Sequence, residues 1–277
     1  MGIDVIEAIS LVVGGFLIGA YSIAIGAGGG VLIAPLLLIR YPGADPALLT
    51  TASLTAVLIT STASSAIVIP ERRVDLRVAL LIALLIAAIS VPAGLIGALA
   101  TIELPREAFA IGFAVLLTAL AIYIILKPTA PDPPPDAEGA HRVIEDRDGN
   151  RFEYHIPVGR SIAPNVGMAF LSALAGIGGG PIGVPIMTRI MRIPHAIAVP
   201  TIQVKTAIYA ASIVAFHLAL GHAGEPLKDV PFLGLGVLLA NPIGQRMRRR
   251  LGEGPLMHAL ALILLVVAAR TAYGAFQ

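Results

Sequence analysis

Residues 3–41 form one apolar block. As a single helix rising 1.5 Å per residue it would run roughly 55 Å, well beyond the roughly 30 Å hydrocarbon core of a bilayer. The block must break, and the sequence shows where: residues 26–30 read GAGGG. A near copy, GIGGG at residues 176–180, interrupts the block from 161 to 191. Glycine runs weaken a helix interior, and Gly takes up backbone conformations closed to other residues. Non-helical backbone at membrane depth survives only where protein buries it or where it lines a wet cavity, because each unpaired amide group in hydrocarbon costs several kcal/mol. Two such breaks predict a cavity within the chain.

The remaining sequence reads as membrane protein throughout. Further apolar blocks lie at 47–70, 77–101, 104–127, 195–221, 229–247 and 254–276, hydrophobic residues make up 57% and charged residues 13%, and the mean hydropathy is +0.88. Asp4 and Glu7 precede the first apolar run without a basic segment or a small-residue cleavage site, so that run is expected to be a membrane segment rather than a signal peptide. The absence of cysteine excludes disulfides, thiolate metal sites and cysteine nucleophiles. The pI near 9.1 comes from arginines in loops, with no basic run interleaved with aromatics, which points to topology rather than nucleic acid. With no G-x-S-x-G, no H-E-x-x-H and no paired membrane carboxylates, no enzyme activity and no cofactor are expected. Residues 128–160 are rich in proline and charge and form a connector. Within it Val143, Ile144, Phe152 and Tyr154 flank Asp148-Gly149-Asn150, a pattern that suits either a small hairpin around an Asp-Gly turn or a plain loop.

The two glycine breaks belong to a longer repeat. At a constant offset of 150, Ser22 matches Ser172, Pro35 matches Pro185, Thr51 matches Thr201, Pro92 matches Pro242, Gly94 matches Gly244 and Pro105 matches Pro255. Glycine and proline, whose backbone roles are hardest to replace, dominate the matches. One four-block unit used twice is therefore expected, occupying residues 1–127 and 161–277 on either side of the 128–160 connector. If the first block of each unit is a re-entrant hairpin, three full crossings remain per half, and that odd number inverts the second half. The arginines and lysines sort accordingly. One face collects Arg72, Arg73, Arg77, Lys127, Arg142, Arg147, Arg151, Arg160, Arg189, Arg192, Arg246, Arg248, Arg249 and Arg250, while the other keeps Arg40, Arg106, Lys228 and Arg270. The expected fold is an all-α integral membrane protein, an inverted repeat of two halves, each a glycine-broken re-entrant hairpin plus three transmembrane helices. Both termini lie outside and the connector is cytoplasmic.

After each break a short helix begins whose first-turn N–H groups have no partner within the helix. With the helix dipole these groups form an anion site, which nominates Gly28, Gly29 and Gly30 together with Gly178, Gly179 and Gly180. The competing reading is that the glycines only let helices approach closely. Thr51 and Thr201, with Ser53 and Gln203, either line the cavity or bond back to their own helices. Lys205, about ten residues into its block, is an intramembrane charge and so a functional candidate. Its repeat mate is Thr55; the alternative is that its stem packs and its amine reaches a carbonyl. Asn241, just before Pro242, caps a kink or faces substrate, and His217 and His222 near the external end are interfacial residues or a proton relay.

At these residues the chain resembles the TauE/SafE family of sulfite and organosulfonate exporters. GAGGGVLIAP from residue 26 and GIGGGPIGVP from residue 176 resemble the family's duplicated glycine-rich motif, and PAGLIG from residue 92 and PIG from residue 242 its small-residue signature. Pro200, Thr201, Ile202 and Gln203 depart from the pattern, where a small residue and a serine are more typical. The resemblance implies a secondary transporter that exports sulfite or an organosulfonate such as sulfoacetate across the bacterial inner membrane. An anion channel sharing the midplane site is the alternative. The expected partners are a small anion and the lipid bilayer, not nucleic acid, and a homodimer suits a transporter this small.

Overall fold

The computed structural model describes residues 4–25, 30–70, 91–126, 140–250 and 253–275. The sequence expectations that fall on Gly28, Gly29, Arg72, Arg73, Arg77 and Lys127 lie outside those residues. The described chain is helical apart from one hairpin. The first half contains α1 (Val5–Ile25), α2 (Gly30–Arg40), α3 (Pro46–Val68), α4 (Val91–Glu103) and α5 (Arg106–Leu126). An antiparallel hairpin of β1 (Ala140–Glu145) and β2 (Arg151–Ile156) follows. The second half contains α6 (Val158–Ala175), α7 (Gly180–Pro185) running into a π-helical turn (Ile186–Ile190), α8 (His195–Ala219), a short 3-10 turn (Glu225–Lys228), α9 (Val230–Arg250) and α10 (Glu253–Ala275).

Among the described residues four helices, α1, α3, α5 and α8, are long and apolar enough to cross a membrane. Their burial sorts them. The apolar spans of α3 and α8 are 61% and 72% buried and occupy the centre, whereas those of α1 and α5 are each 44% buried. Val5, Ile9, Val13 and Leu17 make an exposed apolar stripe along α1 at every fourth position, a face that water would penalise and hydrocarbon would not. Four hydroxyls of α3 satisfy themselves locally: Thr51 donates to the Ala47 carbonyl, Thr55 to Thr51, Thr60 to Ala56 and Ser65 to Ser61. That back-bonding lets a helix rich in Ser and Thr sit in an apolar interior.

The helices pack in pairs that respect the 150-residue offset. α3 packs against its own mate α8, and α5 against its mate α10. The remaining pairs exchange between halves. A Cβ built on Gly97 of α4 would fall 2.5 Å from the Phe170 carbonyl oxygen of α6 and 3.4 Å from Ala173. A Cβ built on Gly244 of α9 would fall 2.7 Å from both the Ala20 carbonyl oxygen and Ile23 of α1. Phe170 and Ala173 are the offset mates of Ala20 and Ile23, so each half's fourth helix leans on the other half's first helix through a glycine, although Gly97 and Gly244 themselves stand 147 residues apart rather than 150.

Ion pairs fix where the ends lie. Arg40, the last residue of α2, pairs with Glu7 in the first turn of α1 and with Asp229 just before α9. α2 therefore ends beside the start of α1. Arg106 at the start of α5 donates to the carbonyls of Leu38, Tyr41 and Ala44 at 3.1 to 3.2 Å, satisfying acceptors that the end of α2 leaves open. At the other end of the bundle the guanidinium of Arg189 lies 5.0 Å over the Tyr123 ring.

The connector carries the hairpin, with Gly149 at φ +83° in its turn. Asp146 accepts from the N–H groups of Asp148 and Asn150, both at 2.9 Å, and so holds that turn closed. Side chains alternate across the hairpin as strand geometry requires. On one face Tyr154 and Ile156 are buried in a cluster with Met187 and Met191 at the end of the broken helix and Ile197 of α8. The other face carries His141, Glu153 and His155. There the hydrogen bond with His141 holds the Glu153 carboxyl below the ordinary carboxylate range.

Candidate functional site

The second glycine break forms a sharp, wholly buried gap between α6 and α7. Gly176 ends α6 in the left-handed region at φ +67°, and Gly178 returns to that region at φ +71°. A side chain at Gly178 is excluded twice over, because a Cβ there would lie 2.7 Å from Val57 of α3. The Ser53 hydroxyl of α3 donates to the Gly176 carbonyl at 2.6 Å, supplying the acceptor with a partner that the interrupted helix lacks. α7 then starts with no side-chain cap at Gly179, and Pro181 in its first turn has no N–H to leave unsatisfied.

Ile177, in the middle of the second break, packs in the same buried cluster as Ala24 and Ile25 at the end of α1 and Val31 in the first turn of α2. Gly30 begins α2 as Gly180 begins α7. At the start of α7 stands a hydroxyl without a partner among the described residues. Thr206 of α8 is 2% exposed; its unpartnered Oγ1 would lie 3.0 Å from a Cβ on Gly179, so it sits at the start of α7. Elsewhere on α8, Thr201 and both amide atoms of Gln203 are also buried and unpartnered among the described residues, as is Oδ1 of Asn241 away on α9.

Lys205 follows this sequence of buried polar groups on α8. It is 7% exposed, and its ammonium donates to Oδ1 of Asn165 on α6 at 2.5 Å. Asn165 in turn donates through Nδ2 to the Ser161 carbonyl at 2.7 Å, which turns its oxygen towards the lysine. One turn further on, Tyr209 donates to the Ala169 carbonyl, so the α6–α8 seam is held at two successive turns. Among the described residues no carboxylate pairs with Lys205, whose buried amine faces a neutral amide. Its protonated form is costly there unless an anion joins it.

The sequence candidates thus divide. Gly178, Gly179 and Gly180 form the break, Thr201, Gln203 and Lys205 lie buried on α8, and Asn241 stands apart on α9, which packs against α1 and α3. Thr51 is buried, but its hydroxyl is committed to Ala47. Ser53, named only as its neighbour, makes the cross-helix bond to the break. Asn165 and Thr206 escaped sequence reasoning. An asparagine inside an apolar block was the available signal for Asn165; nothing marked Thr206, whose repeat mate is Ala56.

A family model described as sulfite exporter TauE/SafE matches residues 11–271. The chain belongs to the TauE/SafE family. It is also similar to a probable membrane transporter protein, YunE, of Bacillus subtilis (strain 168), with 24% identity over 271 residues that cover 95% of this chain and 96% of that protein. No solved structure matches it. The chain is accordingly a multi-pass membrane protein of a transporter family.

Proposed function

We propose that this TauE/SafE protein exports a small sulfur-containing anion, sulfite or an organosulfonate such as sulfoacetate, by alternating access about a site at the second glycine break. The observation that carries the reading is Lys205: a buried amine whose partner is a neutral amide, on the same helix as the unpartnered hydroxyl of Thr206 at the start of α7. An oxyanion would supply the missing negative charge and accept from hydroxyl and backbone N–H donors at once. Inverted repeats with interrupted helices meeting at mid-depth are the arrangement that secondary transporters use. Two observations support the inverted, re-entrant reading. The Glu7–Arg40 pair brings the end of α2 back to the start of α1, and the exchanged α1–α9 and α4–α6 contacts relate the halves as equals. The arginine bias assigns the hairpin end to the cytoplasm and both termini to the outside. The membrane potential, about 2.3 kcal/mol per charge per 100 mV, then favours anion exit. Neither the family nor the fold lends support to the expected homodimer, and the proposal does not depend on it.

Thermal unfolding of the detergent-purified protein against sulfite, sulfoacetate, sulfate, chloride and zwitterionic taurine tests the site. An anion at about one hundred times its Kd stabilises a folded-state binder by about 2.7 kcal/mol. The expected result is selective stabilisation by sulfite or the sulfonate that vanishes in Lys205→Met. No anion exceeding chloride in the wild type would sink the reading and return the glycines to a packing role. Saturable counterflow in proteoliposomes separates a carrier from a channel that shares the site.

A further inference from the structure

The open ends of the two interrupted helices are closed by different means. Where the start of α1 meets the end of α2, Glu7 pairs with Arg40. The offset mates of these residues are Pro157, just before α6, and Ile190, at the end of the π-helical turn, so the second half has no such pair to make. The connector hairpin bridges its two limbs instead. β2 runs through Pro157 directly into α6, the first limb. Its Tyr154 and Ile156, 1% and 3% exposed, are buried in one cluster with Val184, Ile186, Met187 and Met191 of the second limb.

That cluster reaches back to the break. Met168 of α6 belongs to it, and Cβ atoms built on Gly179 and Gly183 would lie 3.8 Å and 3.0 Å from that methionine. Apolar side chains therefore join the hairpin to the start of α7. Three of the six methionines, Met168, Met187 and Met191, lie among them, and such unbranched side chains repack readily. The second limb is also less regular than the first. α2 continues as an α-helix to Arg40, whereas the second limb widens into the π-helical turn, where the Met191 N–H donates to the Ile186 carbonyl at 3.0 Å. Arg192 follows at φ +54°, a strained conformation for an L side chain. Widened turns and strained residues mark segments that change conformation in function.

We propose that the connector hairpin is a lid on the site: seated, it clamps α6 to the π-helical turn, and it unseats from Met187 and Met191 when the site opens towards the hairpin end. The proposal rests on the alternating-access reading given above. The hairpin is suited to move as one piece. Its strands pair over six residues each, and Asp146 closes the turn. Its continuity with α6 keeps it on the first limb while it leaves the second.

Tyr154→Cys/Met187→Cys in this cysteine-free chain, bridged by a short bis-methanethiosulfonate, ties the lid shut. In proteoliposomes, exchange of radiolabelled sulfite or sulfoacetate by the bridged protein should fall at least about tenfold and return on reduction. Ile156→Cys/Met191→Cys is the second pair if loss of the Tyr154 ring disturbs the hairpin. A bridge in His141→Cys/His155→Cys, between directly opposed residues of the two strands, leaves the lid free to move as a unit and should not alter exchange. The bridged Tyr154→Cys/Met187→Cys protein in detergent should keep its anion-dependent rise in unfolding midpoint, because the site itself is untouched. Exchange by that bridged protein at the rate of its reduced form overturns the proposal, since the hairpin then rides with the second limb. Exchange of neither anion by the wild type would instead refute the export reading, and the lid with it.

Discussion

Replacing Gly178 by alanine tests whether the second break is a designed conformation or a tolerated gap. The backbone at φ +71° charges any L side chain about 1–2 kcal/mol. The new methyl would also sit 2.7 Å from a Val57 methyl that is fully buried and cannot swing away, an overpacking worth about 1–3 kcal/mol. The expected loss is therefore about 2–5 kcal/mol. The two contributions separate in a double-mutant cycle. Val57→Ala removes the clash and leaves the backbone strain, so the double variant should be more stable than the sum of the singles by about 1–3 kcal/mol. Reversible unfolding in mixed detergent and denaturant micelles reads all four proteins. Gly167→Ala provides the control: it lies in the same α6, with no heavy atom near a built Cβ, and should be neutral or stabilising by up to about 1 kcal/mol. A Gly178→Ala protein within about 0.5 kcal/mol of wild type, or a cycle that closes with no coupling, would refute the account of the break.

The ion pairs at the other end give a second expectation. Arg40→Ala removes the salt-bridge partner of the fully buried Asp229 and should cost about 3 kcal/mol, whereas Glu7→Ala removes a solvent-exposed partner and should cost clearly less in the same unfolding assay. A third concerns the hydroxyls. Thr206→Val should abolish most of the anion-dependent stabilisation described above, while Thr51→Val should preserve it, because the Thr51 hydroxyl is already bonded to Ala47. Equal effects of the two would place the anion nearer the centre of α3 than the start of α7.

The parts of this molecule visible in the sequence are those governed by backbone chemistry. Glycine runs in apolar blocks announced the break at Gly176 and Gly178, Asp148-Gly149 suited the turn of the hairpin, and a lysine within a membrane-length block pointed to a buried charge. What stayed hidden depends on how each helix is rotated about its axis. Thr51 and Ser53 are two residues apart on α3, yet one hydroxyl turns to its own helix and the other crosses to Gly176. No spacing rule distinguishes them, because both lie in a helix buried over most of its circumference. Arg40 looked like an ordinary loop charge on the sparsely charged face, and only the fold brings Asp229, far along the chain, beside it. The hairpin's alternation was readable; its landing place on Met187, Met191 and Ile197 was not, since a two-stranded ribbon can lay its apolar face on any apolar surface nearby.

The exchanged contacts of Gly97 with Phe170 and of Gly244 with Ala20 bear on whether either half could stand alone. Each half lays the backbone of its first helix against a glycine that the other half supplies, so a lone half would expose the surface it now hides. A single unit with this architecture would cover that surface only by embracing a second copy of itself. Within one chain the two halves need not stay equal: Lys205 faces Asn165, while its counterpart Thr55 does no more than close a bond within its own helix.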